Sequence, residues 1–263
     1  MTDDLTTFTA FARSLAQAAR AETLTRWRSA GAAENKAAAG AFDPVTEADI
    51  GAERAMRALI EARFPDHGIA GEEMGEKPAA GAYGWSLDPI DGTRSFVCGM
   101  PSWVTLIALL RDGEPVFGVI DAPRLGETYY GDGDSAMLAD AEGERPIAVS
   151  GRRTLAEARL STTDPYLFVG RDAQAFERLR AAVRTTRYGH DGYGYARLAA
   201  GSIDLVVEAG LKPYDYNALV PVIRGAGGFV GNWRGGADLS EGRIVAAATA
   251  SLFEEAIGLL EGA

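Results

Sequence analysis

The run Trp85-Ser86-Leu87-Asp88-Pro89-Ile90-Asp91-Gly92-Thr93 concentrates chemistry more than any other stretch of the chain: an apolar segment stops in two carboxylates three residues apart. Proline has no N–H to continue a ladder, and glycine reaches backbone conformations that other residues avoid. Asp88 and Asp91 are therefore expected on a sharply turned loop, aimed at one spot. Upstream, Gly71-Glu72-Glu73 sets two more acids directly after a short apolar stretch at 69–70, a natural neighbour for a strand at 85–87. If three or four of these groups converge, charge decides what else is present. Two unit charges about 4 Å apart repel by roughly 4 kcal/mol at an effective dielectric near 20, so the cluster is untenable without a cation. Oxygen donors with no Cys or His nearby select a hard ion, Mg²⁺ before Zn²⁺. The competing reading is turn and cap chemistry, in which Asp and Gly are common for local reasons.

Such a cluster needs elements to hold it. Leu5, Phe8, Phe11, Leu15, Ala18, Leu24 and Trp27 fall mostly at three- and four-residue steps, predicting an amphipathic helix over 3–29 closed by Gly31. A second helix is predicted from Thr46, whose hydroxyl can cap the amide three residues on, through Ile50, Met56, Leu59 and Ile60 to the breaker Pro65-Asp66-His67-Gly68. Short apolar runs then alternate with turns to about residue 150, with Asp112-Gly113 and Asp132-Gly133 as hairpin signals. This block reads as an antiparallel sheet packed by the two helices. Beyond it the rhythm becomes strand, helix, strand, helix, including one helix over 214–224. The chain thus divides softly into an α+β half (1–150) with most of the acids and an α/β half (151–263).

Composition narrows the partners. The 263 residues include 26 Lys or Arg against 37 Asp or Glu, a net charge of −11, and 47% are hydrophobic, enough for a core and too many for disorder. That balance, with no basic run, argues against nucleic acid or an anionic membrane as partner. No stretch of about 18 apolar residues suggests a membrane span. The N-terminus opens acidic and then helical, unlike a secretory or transit sequence, and the single Cys98 cannot form an intrachain disulfide; both fit the cytoplasm. Two histidines and one cysteine make a Cys/His zinc site implausible.

The run 85–93, with Gly71-Glu72-Glu73 before it and Pro213-Tyr214-Asp215 far downstream, resembles the inositol monophosphatase superfamily of metal-dependent, lithium-sensitive phosphatases. The resemblance covers roughly residues 36–235 and implies a layered αβαβα sandwich and a homodimer. It implies that Glu72, Asp88 and the Ile90 carbonyl hold one Mg²⁺ and that Asp88, Asp91 and Asp215 hold a second, with a third, weaker ion near Glu72. It places phosphate on the amides of Gly92 and Thr93. Asp49 matches the acid that pairs with Thr93 to orient the attacking water, beside its competing role as a helix cap. Lys36 matches a lysine on a mobile loop near the metals, and Arg94 follows the metal loop among the substrate candidates.

The implied reaction needs these parts. Phosphate monoester hydrolysis can require acceleration on the order of 10²¹, whereas one general base supplies about 10² to 10⁴. Metal-assisted in-line attack by water, with no phosphoenzyme, would carry much of the difference. Leu211-Lys212-Pro213-Tyr214-Asp215 and Gly189-His190-Asp191-Gly192-Tyr193-Gly194-Tyr195 are most similar to the histidinol-phosphate phosphatase branch. A substrate bearing an ammonium and an imidazole would suit further acids, for which Asp191 and Glu208 are the candidates. An inositol ring, a nucleotide 3′-phosphate and a sugar bisphosphate are the alternatives, and a regulatory binding protein of the same fold is the rival from another class. Two positions depart from the branch pattern: Gly192, which could widen the pocket, and Arg224, which suits a helix C-terminus. Cys98 is expected as a small buried hydrophobe, His67 as solvent-facing, and Trp103, Tyr193 and Tyr195 as core; His190 either lines the pocket or satisfies a loop carbonyl.

Overall fold

The computed structural model describes residues 5–28, 34–35 and 44–261. Helices α1 (Leu5–Arg26) and α2 (Glu47–Arg63) flank a short antiparallel pair, β1 (Glu34–Asn35) and β2 (Pro44–Val45). There follow β3 (Gly68–Gly71), β4 (Gly75–Lys77), β5 (Tyr83–Asp91), a short α3 (Thr93–Val97), β6 (Val104–Arg111), β7 (Glu114–Ala122), β8 (Glu127–Gly131), β9 (Ala136–Asp140) and β10 (Gly143–Pro146). From β3 on, these strands form one eight-stranded sheet in the order β10-β9-β8-β7-β6-β5-β3-β4, antiparallel except where β3 runs parallel to β5. The hairpin from β6 to β7 turns on Asp112 and Gly113, both at positive φ (52° and 86°), the conformation that matches strand twist.

The second half contributes β11 (Arg159–Thr162), α4 (Arg171–Ala182), β12 (Thr185–Tyr188), α5 (Asp191–Ala199), β13 (Leu205–Glu208), α6 (Pro213–Tyr216), α7 (Leu219–Gly225), β14 (Phe229–Asn232), β15 (Ile244–Ala247) and α8 (Ala250–Leu260). Its five strands are ordered β12-β11-β13-β15-β14; β12, β11 and β13 are parallel, the last two pairs antiparallel. The single helix expected over 214–224 is two. The backbone stays helical through Asn217 and Ala218, but Pro221 has no N–H to return to the Asn217 carbonyl.

Alternation along the strands makes the layers. On β6, Val104, Leu106 and Ala108 face one core while Ile107 and Leu109 face another; on β13, Val206 faces inward while Leu205 and Val207 face outward. The first sheet therefore packs α1 and α2 on one face, through Phe8, Leu15, Met56 and Ile60. Its other face meets α5 and α7, through Tyr195, Val222 and Ile223, and these also cover the inner face of the second sheet. Helices α4 and α8 close the outer face of that sheet. The order is helix, sheet, helix, sheet, helix, the αβαβα sandwich expected. No helix among the described residues is long and apolar enough to cross a membrane.

Two side chains lie elsewhere than expected. His67 is 9% exposed, its ring stacked on Phe64 at 4.6 Å and its Nδ1 accepting from the Trp85 indole at 3.1 Å, because the 65–68 turn folds beneath the aromatic edge of α1. Cys98 is exposed: α3 is too short to carry it back onto the core, and it caps the helix end on the outside. Trp103 and Tyr195 are core, as expected.

The middle layer depends on close backbone approach. A Cβ at Gly118 of β7 would lie inside contact with the Ala218 carbonyl, and one at Gly131 of β8 would stand 2.9 Å from the Val222 Cα. These glycines let the start of α7 sit directly on the sheet. Gly118→Ala is therefore expected to lower stability by about 3 kcal/mol, the upper end of overpacking costs, by urea denaturation, and a change below about 1 kcal/mol would refute this seating.

Candidate active site

The acids gather where strand ends are locked to one another. Gly71 of β3 is opposite Leu87 of β5, and the Glu72 N–H donates to the Leu87 carbonyl at 3.2 Å, which sets Glu72 beside Asp88. Asp88 still pairs with Leu106, after which the register shifts before Asp91 pairs with Val104. The two aspartates thus occupy a bulged strand end, not the loop expected, and the bulge aims both at one side. Thr105 donates to the Pro89 carbonyl at 2.8 Å, giving this interrupted stretch a partner. The Ile90 N–H donates to Asp88 Oδ1 at 3.1 Å, the Thr93 hydroxyl donates to the Ile90 carbonyl at 3.0 Å, and Gly92 turns the chain into α3 at φ 88°.

The second half completes the cluster. Asp215 lies in the first turn of α6, where the Lys212 N–H donates to its Oδ2 at 2.6 Å. Asn217 donates to Ser86 Oγ at 3.2 Å and ties the end of α6 to β5. Asp88, Asp91 and Asp215 each offer an oxygen, all within 4.8 Å of one another. At the start of α5, Asp191 takes φ 46° and its carboxylate lies over Gly92, 2.9 Å from where a Cβ would stand. The next amide, Gly192, donates to Asp91 Oδ2, and a Cβ there would collide with that oxygen and meet Val104 Cγ2 at 2.9 Å. Gly192 therefore does not widen a pocket; Asp91 fills the space.

Glu208, at the end of β13, is 1% exposed rather than a solvated strand-end acid. It accepts from the Thr163 N–H (2.7 Å), the Thr163 hydroxyl (3.0 Å) and the Thr162 hydroxyl (3.2 Å). The Thr163 hydroxyl and amide thus both serve Glu208, and the same hydroxyl opposes the rise that burial imposes on Asp191. Thr162 and Thr163 went unremarked in the sequence because only the parallel pairing of β11 with β13 brings them to Glu208.

The electrostatics follow from this crowding. Burial, then the charges of Glu72, Asp91 and Asp215, hold Asp88 well above the usual carboxylate range; burial, then Asp191 and Asp215, do the same to Asp91 despite the Gly192 amide. Burial pushes Asp49 up to about 6, against the opposing bonds from Thr46. Asp191 rises to about 6 and Glu208 to about 8, each mainly through burial. Asp49 Oδ1 is moreover buried with no hydrogen-bond partner. An oxygen-only, mutually repelling donor set with an orphaned carboxylate oxygen close by fits a hard divalent cation.

Not every expected residue joins the cluster. Asp49 Oδ2 receives the Thr46 N–H (2.8 Å) and hydroxyl (2.6 Å), the Thr46 hydroxyl in turn accepting from Ala48, while the Thr93 hydroxyl goes to Ile90. No hydrogen bond links Asp49 to Thr93 among the described residues. Arg94 stands exposed, paired with Asp164 at 3.2 Å. His190 meets Ser161 Oγ at 3.4 Å rather than a loop carbonyl. Lys36 lies outside the described residues.

Comparison with known proteins places this arrangement in context. The sequence profile of the inositol monophosphatase family matches residues 4–263. A chloroplastic protein of Arabidopsis thaliana named bifunctional phosphatase IMPL2 is 43% identical over 231 residues, 84% of this chain and 66% of that protein, so the chain spans just under two thirds of that relative's length. A histidinol-phosphatase of Chlorobaculum parvum is 36% identical over 200 residues, 76% of each chain. The solved structure of an inositol monophosphatase from Zymomonas mobilis superposes with a TM-score of 0.87 at 38% identity, over 98% of this chain and 99% of that one.

The raised carboxyls have a consequence for stability. Asp49 and Asp191 near 6, and Glu208 near 8, bind protons in the folded chain that the unfolded chain, with values of 3.8 to 4.5, has released. Their contribution is complete below about pH 4 and is lost as pH rises toward about 8. The melting temperature in chelator is therefore expected to fall from pH 5 to pH 8.5, and Mg²⁺ to raise it most at the alkaline end; a flat profile in chelator would contradict the assignment.

Proposed function

Since this chain belongs to the inositol monophosphatase family, we propose that it is a Mg²⁺-dependent phosphomonoesterase whose substrate is histidinol phosphate. The observation that carries the substrate is the pair of acids beyond the metal cluster: Asp191 lies over Gly92, and its charge acts on the buried Glu208. Acids that a phosphate ester alone has no use for suit an ammonium and an imidazole. Relatives named histidinol-phosphatase support the same reading. The inositol 1-phosphate alternative draws on the Zymomonas mobilis neighbour and on the capacity of Glu208 to accept from a ring hydroxyl.

Within this reading, Asp88, Asp91 and Asp215, with Glu72 and the Ile90 carbonyl, would hold two Mg²⁺ ions and a weaker third. Bound there, Mg²⁺ supplies Lewis-acid charge to phosphoryl oxygen and acidifies water. Asp49, raised to about 6, is a carboxylate at neutral pH with one oxygen unpartnered, placed to accept a proton from the attacking water. Thr93 orients that water by turning its hydroxyl from the Ile90 carbonyl. The water oxygen bonds to phosphorus as the ester P–O bond breaks, the leaving alkoxide takes a proton from solvent water, and Asp49 returns its proton to solvent. The amides of Gly92 and Thr93 face the phosphate, Asp191 and Glu208 the cationic end, and Arg94 and Lys36 the rim. A cytoplasmic homodimer completes the proposal by family analogy.

Three measurements test it. With Mg²⁺, kcat/KM for histidinol phosphate is expected to exceed that for inositol 1-phosphate at least tenfold, and the reverse preference would transfer the assignment to inositol. Asp88→Asn is expected to lose at least 10³-fold in kcat; a variant with full turnover would end the catalytic reading. Glu208→Gln is expected to raise KM for histidinol phosphate about tenfold, because the cationic end of the substrate would draw the buried Glu208 carboxyl, raised to about 8, into its ionised form and glutamine cannot follow, while a simple alkyl phosphate with no cationic end stays within about threefold; equal losses on both would remove Glu208 from substrate recognition.

A further inference from the structure

Glu53 has no part in the site described so far, yet it is a fully buried acid one turn beyond Asp49 on α2. Its carboxylate lies against Gly71, where any Cβ would collide with it. Oε2 accepts from the Glu73 N–H at 2.8 Å, and Oε1 accepts from the Met74 N–H at 3.1 Å and from Arg57 Nε at 2.7 Å. The other arm of Arg57 donates to the Gly75 carbonyl. Glu53 and Arg57 together therefore grip the far side of the turn 71–75, whose second residue is Glu72, while Gly71 at its start packs on the Glu53 carboxylate. The opposite side of that turn is fixed by the bond from the Glu72 N–H to Leu87.

We infer that Glu53 is a positioning residue for metal binding: by holding the amides after Glu72 it presents the Glu72 carboxylate to Asp88, and α2 thereby sets the spacing between Asp49 and Glu72. The inference rests on the reading of the acid cluster as a cation site. Chemistry dictates the residue type. Both oxygens of Glu53 act as acceptors toward N–H donors, so glutamine, whatever its orientation, turns an NH₂ toward an N–H. Aspartate, a methylene shorter, does not reach. The guanidinium of Arg57 offsets the Glu53 charge, so the grip adds no net charge beside acids that already repel one another.

The test is Mn²⁺ binding to metal-free protein by calorimetry, alongside kcat at saturating Mg²⁺. Glu53→Gln is expected to raise the Mn²⁺ dissociation constant about tenfold while kcat at saturating metal stays within threefold, a split that general loss of fold would not produce. If Glu53→Gln does not accumulate as folded protein, Arg57→Lys, which keeps the charge but loses the two-armed grip, is expected to raise the same constant three- to fivefold. Wild-type Mn²⁺ affinity in whichever variant folds overturns the inference alone. Wild-type protein that binds no Mn²⁺ overturns it together with the metal reading.

Discussion

Mutual repulsion among Asp88, Asp91 and Asp215 is the constraint to which the surrounding structure responds. Their oxygens lie within 4.8 Å of one another, with Asp88 almost wholly removed from water. In an unconstrained chain such groups would separate or take up protons. Each is instead fixed by backbone: Asp88 by the Ile90 amide, Asp91 by Gly192, Asp215 by Lys212. Three N–H groups from three segments keep the acids together, at a spacing where burial and repulsion raise Asp88 and Asp91 unless a cation offsets their charge. On the proposed reading the site is a receptor for a cation before it is anything else.

The layered architecture supplies the stiffness this needs. The clustered acids come from both halves of the chain, so the two sheets have to keep a fixed relation, and the middle helices enforce it. α5 delivers Gly192 to Asp91, α6 delivers Asp215, and α7 sits on Gly118 and Gly131 with no side chain between. A bulky residue at these contacts would move one ligand set relative to the other. Small residues and close backbones here are conditions of the chemistry as much as of the packing.

Much of this was legible in the sequence. The acids at 72, 88 and 91 stood out because chemistry restricts residue type and the flanking Pro and Gly mark a strand end, though turn and cap chemistry competed until the family resemblance was drawn; Asp215 was reached through that resemblance alone. Helices α1 and α2, the 112–113 hairpin and most strands of the second half follow from periodicity and turn residues. What escaped was set by tertiary partners. His67 reads as a turn residue until Phe64 and Trp85 are seen around it, and Cys98 reads as core until α3 proves too short. The division of α6 from α7 was present in Pro221 and was missed because the apolar spacing continues past it. Thr163 carried no local signal: its role arises from a parallel pairing more than forty residues away.

Thr163 also bears on how such a pocket changes over evolutionary time. Its N–H and its hydroxyl both donate to Glu208, at 2.7 and 3.0 Å, so replacing the acid leaves a backbone donor without its acceptor, and replacing the threonine takes one bond from a carboxyl that is almost wholly buried. Thr163 and Glu208 are therefore not independent positions: groups that share a hydrogen-bond network couple energetically, so the substitutions tolerated here are paired rather than single. A lineage can keep its metal machinery untouched while drifting along this coupled pair. Overall sequence identity then records ancestry faithfully while saying little about which ester a given descendant cleaves.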